Sequence, residues 1–394
     1  MSSSTQVETS PLPWSPTIAK SPLSFLNPWG KTTECEKGNQ TESALLSNMN
    51  DSQGLPPNAQ LMDVNIDDAG NYVHTLAIKQ EKAKHNLVMT HGYFTGIGYY
   101  YRNYQGLSAA DGWNVYSIDW LGMGRSSRPK FGVPHTLPEE QRVRDTEAFF
   151  VESLEAWRQK MGIEKMMLLG HSFGGYMSAL YAMKYPEHVE KLVLVSPIGL
   201  PEPPADLAER LKNRDLRRPN KPEDVEKTAS TKPGFKQNVI FGVAMSLWER
   251  NYTPQWLVRM AGPYGRRLIN FYVTKFAFLS DKERADLAAY AYHISVLPGS
   301  SEYALGNILK PGAFARRPLV NRMQGLTVPT TFMYGQNDWV ESSGGEEAMT
   351  RIPAKTQLFT VKECGHNIHL ENPQGFNDVV LREMQKLSQG QEAQ

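Results

Sequence analysis

The stretch MMLLGHSFGGYMSALYAMKY, residues 166–185, decides the fold. An apolar run enters Gly170-His171-Ser172-Phe173-Gly174-Gly175 and leaves as GYMSALYAMKY, whose apolar residues recur at helical spacing. Gly-x-Ser-x-Gly carries meaning where a buried strand turns sharply into a helix, because the glycines let a strained turn lift the serine out without Cβ clashes. A glycine-rich surface loop could spell the same five letters, so the flanking strand and helix are what make Ser172 the candidate nucleophile.

Working outward, RVRDTEAFFVESLEAWRQKMG (142–162) reads as an amphipathic helix and KLVLVSP (191–197) as a strand. Upstream, YVHTLAI from Tyr72, NLVMTHG (86–92) and NVYSIDW (114–120) are strand-like; downstream, TVPTTFMYG (327–335) and TQLFTV (356–361) resume the pattern before a closing helix, FNDVVLREMQKL. Near-continuous apolar strands alternating with helices predict an α/β fold whose mostly parallel central sheet is buried on both faces. Residues 198–320 interrupt it with early prolines, a basic run from Arg210 to Lys221 and the apolar segment VIFGVAMSLW (239–248), without parallel-strand signals. The expected organisation is therefore an N-terminal arm (1–60), a first part of the core (61–197), an inserted helical cap (198–320) and a second part of the core (321–394).

Composition bounds the function. The 394 residues carry 42 basic and 41 acidic side chains, a net charge of +1. That removes the electrostatic case for a nucleic-acid binder, which must neutralise phosphates. Cys35 and Cys364 lie far apart in unlike contexts, so both read as reduced thiols, neither a disulfide framework nor a metal cluster. No stretch approaches the ~20 apolar residues needed to cross a bilayer. The start, MSSSTQVETS, reads neither as a secretory signal nor as an Arg-rich presequence, the first arginine being Arg102. An intracellular protein, peripheral on membranes or lipid droplets, is expected, with mitochondrial association left open. The arm is Ser-, Thr-, Pro- and Asn-rich and reads as mobile, yet Trp14, Leu23, Phe25, Leu26 and Trp29 sit within it. Two readings stand for these apolar residues: a membrane-interface contact, or a tail packed on the body. Since no catalytic candidate lies in the arm, deleting residues 1–50 should weaken lipid binding but spare hydrolysis of a soluble ester. The cap's Phe241, Leu247 and Trp248 are a second expected membrane contact.

A serine hydroxyl needs a base, and the base an orienting acid. GQNDWV sets Asp338 just past one strand and CGHNIH sets His366 just past the last, where open α/β sheets carry their sites. A turn aspartate and a surface histidine look the same singly; the order Ser, Asp, His and the shared strand-end placement separate them. His369 adds a second histidine but no carboxylate cluster, so no metal and no cofactor is expected. The oxyanion donors are expected from the N–H of Phe173, directly after the nucleophile, and the N–H of Tyr93, in the loop opened by His91-Gly92. The aromatic side chains of that loop read as core.

DWLGMGRSSRP (119–129) carries a resemblance, together with HGYFTG, GHSFGG, FVESLEAWR, SEYALGNILKPGAFARRPL (301–319) and YGQNDWV. In these motifs, which fall in order within a match covering about residues 60 to 390, the chain resembles the α/β-hydrolase subfamily that contains the lipid-droplet lipase co-activator and the N-acyl-phospholipid lysolipase of animals, yeast cardiolipin deacylase and acyltransferase-like relatives. The resemblance implies a Ser172, His366, Asp338 triad. It also implies a catalytic member, since the co-activator has asparagine at the nucleophile position. Two places depart from the family pattern: Phe94 and Thr95 stand where small residues are usual, and the His-x4-Asp proposed as an acyltransferase motif reads His366-x4-Glu371. Glu371 reads as a loop or helix-start residue, whose change to Gln should spare hydrolysis. The cap's basic run and apolar segment suit an anionic head group and an acyl chain or, equally, a solvated helix face and cap core; the resemblance tilts the choice to phospholipids or lysophospholipids. The expected activity is a serine acyl hydrolase on these lipids. The alternatives are a lysophospholipid acyltransferase, which alone would need acyl-CoA, and a non-catalytic lipase-binding co-activator.

Overall fold

A computed structural model of the protein describes residues 31–48, 55–205 and 250–390. Its elements in chain order begin with helix α1 (Lys31–Leu46) and strands β1 (Ala59–Asn65), β2 (Tyr72–Ile78) and β3 (His85–Thr90). Then come α2 (Tyr104–Ser108), β4 (Trp113–Ile118), α3 (Glu139–Met161), β5 (Met166–His171), α4 (Phe173–Lys184) and β6 (Val189–Val195). Helices α5 (Pro254–Met260), α6 (Gly265–Val273), α7 (Asp281–Val296) and α8 (Ala304–Ile308) follow, with a short hairpin of β7 (Leu309–Lys310) and β8 (Phe314–Ala315). The chain closes with β9 (Thr330–Gly335), α9 (Ser343–Met349), β10 (Thr356–Val361), α10 (Ile368–Glu371) and α11 (Pro373–Ser388).

Eight strands form one sheet in the order β1-β2-β4-β3-β5-β6-β9-β10. Strand β2 runs antiparallel to both neighbours, and every other pairing from β4 to β10 is parallel. The run MMLLG explains why the sheet is covered on both sides: Met166 and Leu168 enter the core under α3 and α4, while Met167 and Leu169 enter the opposite one, all fully buried. Helix α3 opens with Glu139 and Glu140, whose charge suits its N-terminus, and ends at Gly162 in the left-handed conformation (φ 66°).

Two elements depart from the sequence reading. Strand β1 is an antiparallel edge ahead of Tyr72, with partly polar, half-exposed residues. Helix α1 lies inside the segment expected to be a mobile arm, and it packs against α7 with Leu45 and Leu46 fully buried. An ionic latch accompanies it: Glu42 is 3.0 Å from His74 Nε2 and pairs with Arg125, while His74 Nδ1 is 2.6 Å from Asp63. Residues 37–48 are thus packed on the body, which extends to before residue 60. Trp14, Leu23, Phe25, Leu26 and Trp29, the basic run 210–221 and the segment 239–248 with Phe241, Leu247 and Trp248 lie outside the described residues. Among the described residues no helix is long and apolar enough to cross a membrane.

Candidate active site

Strand β5 ends at His171 and α4 begins at Phe173, so Ser172 alone makes the turn, at φ 55° and ψ −113°. Such a conformation costs a side-chain-bearing residue about 1–3 kcal/mol and persists only where neighbours enforce it. Here the Ser172 N–H donates to Val195 O at 2.9 Å and Tyr176 N–H donates to Ser172 O at 3.1 Å. Glycine is required on both sides: a Cβ on Gly170 would meet Gly174 O at 2.4 Å, and one on Gly174 would meet His91 O at 2.6 Å. All of these obstacles are backbone, which cannot swing aside.

The loops after β9 and β10 bring Asp338 and His366 to this serine. His366 Nε2 lies 3.0 Å from Ser172 Oγ, and His366 Nδ1 lies 2.9 Å from Asp338 Oδ1. Asp338 Oδ1 also accepts the Val340 N–H at 2.9 Å. Burial pushes the Asp338 carboxyl up, but the hydrogen bond and charge of His366 outweigh it and hold the group below its ordinary value. An ionised, buried acid on Nδ1 leaves Nε2 free to take a proton from the serine hydroxyl.

His366 is held by its own loop. Glu371, the last residue of α10, turns back so that Oε2 accepts the Gly365 N–H at 2.6 Å and Oε1 accepts the Asn367 N–H at 3.0 Å. The carboxylate therefore grips the N–H groups of both residues flanking His366, a contact that the reading of Glu371 as a loop or helix-start residue did not include: spacing gave its position, but not its direction. His171 adds a third anchor, donating from Nε2 to His366 O at 2.9 Å. Burial, then the neighbouring His366, pushes the His171 imidazole down to about 3, so it is neutral and keeps an acceptor nitrogen. His369 is buried against the rings of His171 (4.6 Å) and Tyr100 (4.8 Å). Sequence reasoning also missed Trp339, half exposed with its ring 4.8 Å from His366, although its place next to Asp338 was a signal.

The expected oxyanion donors flank the same serine. Phe173 opens α4, where a first-turn N–H has no acceptor within the helix. Opposite it, a Cβ on Gly92 would stand 3.2 Å from Ser172 Cβ, so the loop after β3 is in contact with the nucleophile. The Gly92 carbonyl is gripped twice, by His91 Nδ1–H at 2.7 Å and by the Thr95 hydroxyl at 2.8 Å. Because a peptide is planar, fixing that carbonyl also fixes the Tyr93 N–H. His91 can act as donor here because its Nε2 accepts the Trp120 N–H at 3.1 Å, and burial holds the ring's pKa down despite nearby Asp119. Phe94 takes a positive φ of 66°, the turn that brings Thr95 back onto Gly92. The residues that depart from the family pattern thus build the loop. Tyr93's hydroxyl reaches the cap, 2.9 Å from Glu302 O and 3.2 Å from Gln255 Oε1.

A family model described as the alpha/beta hydrolase fold matches residues 86–373. A 1-acylglycerol-3-phosphate O-acyltransferase of Arabidopsis thaliana is 37% identical over 317 residues, 79% of this chain and 69% of the relative. A (lyso)-N-acylphosphatidylethanolamine lipase of Mus musculus is 33% identical over 316 residues, 79% of this chain and 82% of the relative. Among solved structures, a bromoperoxidase from Bacillus anthracis superposes with a TM-score of 0.56 at 17% identity, covering 83% of this chain and all of that one, a likeness of fold alone.

Proposed function

The chain belongs to the alpha/beta hydrolase fold family, in the branch of the lysolipase and acyltransferase relatives just described, and from that premise we propose that it is a serine acyl hydrolase acting on glycerophospholipids or lysophospholipids. The observation that carries this reading is the unbroken chain from Ser172 Oγ through His366 to Asp338, at 3.0 and 2.9 Å, on a sharp strand-to-helix turn with Ser172 at φ 55°. Ser172 Oγ attacks the ester carbonyl while its proton passes to His366 Nε2, and the oxyanion meets the N–H groups of Tyr93 and Phe173. The carbonyl–alkoxy bond then breaks, and the leaving glyceryl oxygen takes the proton from His366. Water, deprotonated by the same nitrogen, attacks the acyl-serine, and the fatty acid departs as Ser172 regains its proton. Asp338 stays ionised throughout and stabilises the imidazolium.

Phospholipid as the substrate class rests on what the relatives' names say of those proteins, and a peripheral place on membranes or lipid droplets follows from where such substrates reside. The second reading, acyl transfer, is favoured by the Arabidopsis relative's name. It uses the same acyl-serine, with acyl-CoA as donor and a lysophospholipid hydroxyl in place of water. A non-catalytic co-activator would have no use for the assembled triad. A fluorophosphonate probe tests the serine: it should label the wild type and not Ser172→Ala. Product analysis with and without acyl-CoA separates the two chemistries. Free fatty acid formed without acyl-CoA supports hydrolysis; product formed only with it supports transfer.

A further inference from the structure

Helix α6 is apolar on two stripes rather than one. Gly265, Ile269 and Val273 face inward and are buried, as a single core-facing stripe requires. Tyr264, Leu268 and Phe271, spaced four and three residues apart, form a second stripe that points outward, exposed by 62%, 47% and 81%. On α5, Leu257 and Met260 repeat the pattern outside the buried Val258, with Met260 66% exposed. Large apolar side chains clustered on adjoining helices are what soluble surfaces avoid unless something covers them.

Charge names what covers them. From Asn251 to Ser280 the chain has no acidic residue, while Arg266, Arg267 and Lys275 fall within it, besides Arg259, which pairs with Glu302. Arg267 lies over the ring of Tyr264, a stripe residue, at 5.1 Å, and Lys275 lies over that of Tyr272, next to Phe271, at 3.8 Å, so cations border the apolar stripe. Exposed aliphatic and aromatic side chains bordered by Arg and Lys, in a segment without an acidic residue, fit an interface whose interior is hydrocarbon and whose surface is anionic. The stripe also adjoins the chemistry: Tyr272, next to Phe271, packs edge-on against Phe94 of the loop carrying the Tyr93 N–H, at 5.3 Å.

We infer that the outer face of α5 and α6 is a docking surface for an anionic lipid bilayer, with Leu257, Met260, Tyr264, Leu268 and Phe271 entering the interface and Arg266, Arg267 and Lys275 meeting its phosphates. This deepens the phospholipase reading, since it sets the oxyanion loop against the lipid from which an acyl chain is drawn.

The test uses the full chain with Ser172→Ala as the background, so that no vesicle is consumed. Binding is measured by co-sedimentation with phosphatidylcholine vesicles containing about one-third phosphatidylglycerol. Leu268→Asp with Phe271→Asp should lower the partition coefficient at least about tenfold, since two apolar anchors are lost and two repelled charges gained. Arg266→Glu with Arg267→Glu should weaken binding to these vesicles but not to pure phosphatidylcholine. With Ser172 restored, both pairs should keep soluble-ester turnover within about twofold, which shows an intact fold. Partitioning of the Asp pair within twofold of the parent overturns the proposal. So does a wild-type dimer that the Asp pair dissolves while vesicle binding persists, which would make this face a contact between copies. If the wild type bearing Ser172 cleaves no ester while the Asp pair still loses vesicle binding, the docking surface stands and the phospholipase reading falls.

Discussion

Replacing Ser172 by alanine removes the nucleophile but keeps the turn, since Gly170 and Gly174 still clear its way. Ser172→Ala, His366→Ala and Asp338→Asn should each lower kcat by roughly 10³ or more, and double variants should be little worse than singles, because the three act as a unit. Steady-state kinetics on folded variants decide it; substantial turnover in His366→Ala would remove His366 from the role. Glu371 carries a different expectation. Glutamine in its place puts an amide N–H against one of the N–H groups of Gly365 and Asn367, an unmet donor costing about 1–3 kcal/mol, and the loop must shift. Glu371→Gln should therefore lower kcat about tenfold or more with KM little changed, because the base is displaced while lipid contacts remain. Hydrolysis and any acyl-CoA-dependent transfer should fall together. If transfer alone fails, Glu371 serves transfer specifically. The meeting of Ser172, His366 and Asp338 was legible in the sequence because chain order and strand ends constrain it. Glu371's grip was not, because four-residue spacing from His366 is equally compatible with a side chain turned to solvent.

At the scale of elements, the parallel strands were legible because burial on both faces leaves nearly unbroken apolar runs such as MMLLG and KLVLV. Helix α1 was not. KTTECEKGNQTESALL is mostly polar with a glycine at its centre, and what holds it is tertiary: Leu45 and Leu46 in the core, Gly38 beneath the His293 ring, and the Glu42 latch. The latch should show in the pH dependence of stability. Burial opposes charge on His74, but Asp63 and Glu42 overcome it and raise the group from 6.5 to about 10. A raised histidine contributes fully below its unfolded value and loses that contribution as pH climbs through the folded one. Between pH 6.5 and about 10, wild-type Tm should thus fall more steeply than that of His74→Gln. Parallel curves would mean that His74 is not charged in the latch. At neutral pH, Glu42→Gln should cost about 3 kcal/mol in denaturant unfolding, since it leaves Arg125 and His74 facing a neutral amide.

For the whole molecule, the packed helix changes what an N-terminal deletion means. Removing residues 31–48 in addition to 1–30 strips Glu42, Leu45 and Leu46 from the body, and each buried leucine contributes about 2–5 kcal/mol. The longer truncation should lose soluble-ester turnover through instability, in contrast to the expectation from composition that an arm up to residue 50 is dispensable. Equal melting temperatures for the two truncations would restore that expectation. One chain of contacts then links the scales: α1 packs on α7 of the cap, Gln255 and Glu302 of the cap meet Tyr93, and Gly92, the residue before it, lies against Ser172.

The central claim is that Ser172 takes an acyl group from a phospholipid and gives it to water. Incubating the full chain with phosphatidylcholine in ¹⁸O-labelled water and weighing the products tests it in one step. Acyl–oxygen cleavage through an acyl-serine predicts ¹⁸O in the free fatty acid carboxylate, none in the lysophospholipid, and no product from Ser172→Ala. Label in the lysophospholipid hydroxyl, labelled fatty acid released undiminished by Ser172→Ala, or acyl groups recovered only as a new ester on an added lysophospholipid would each contradict it.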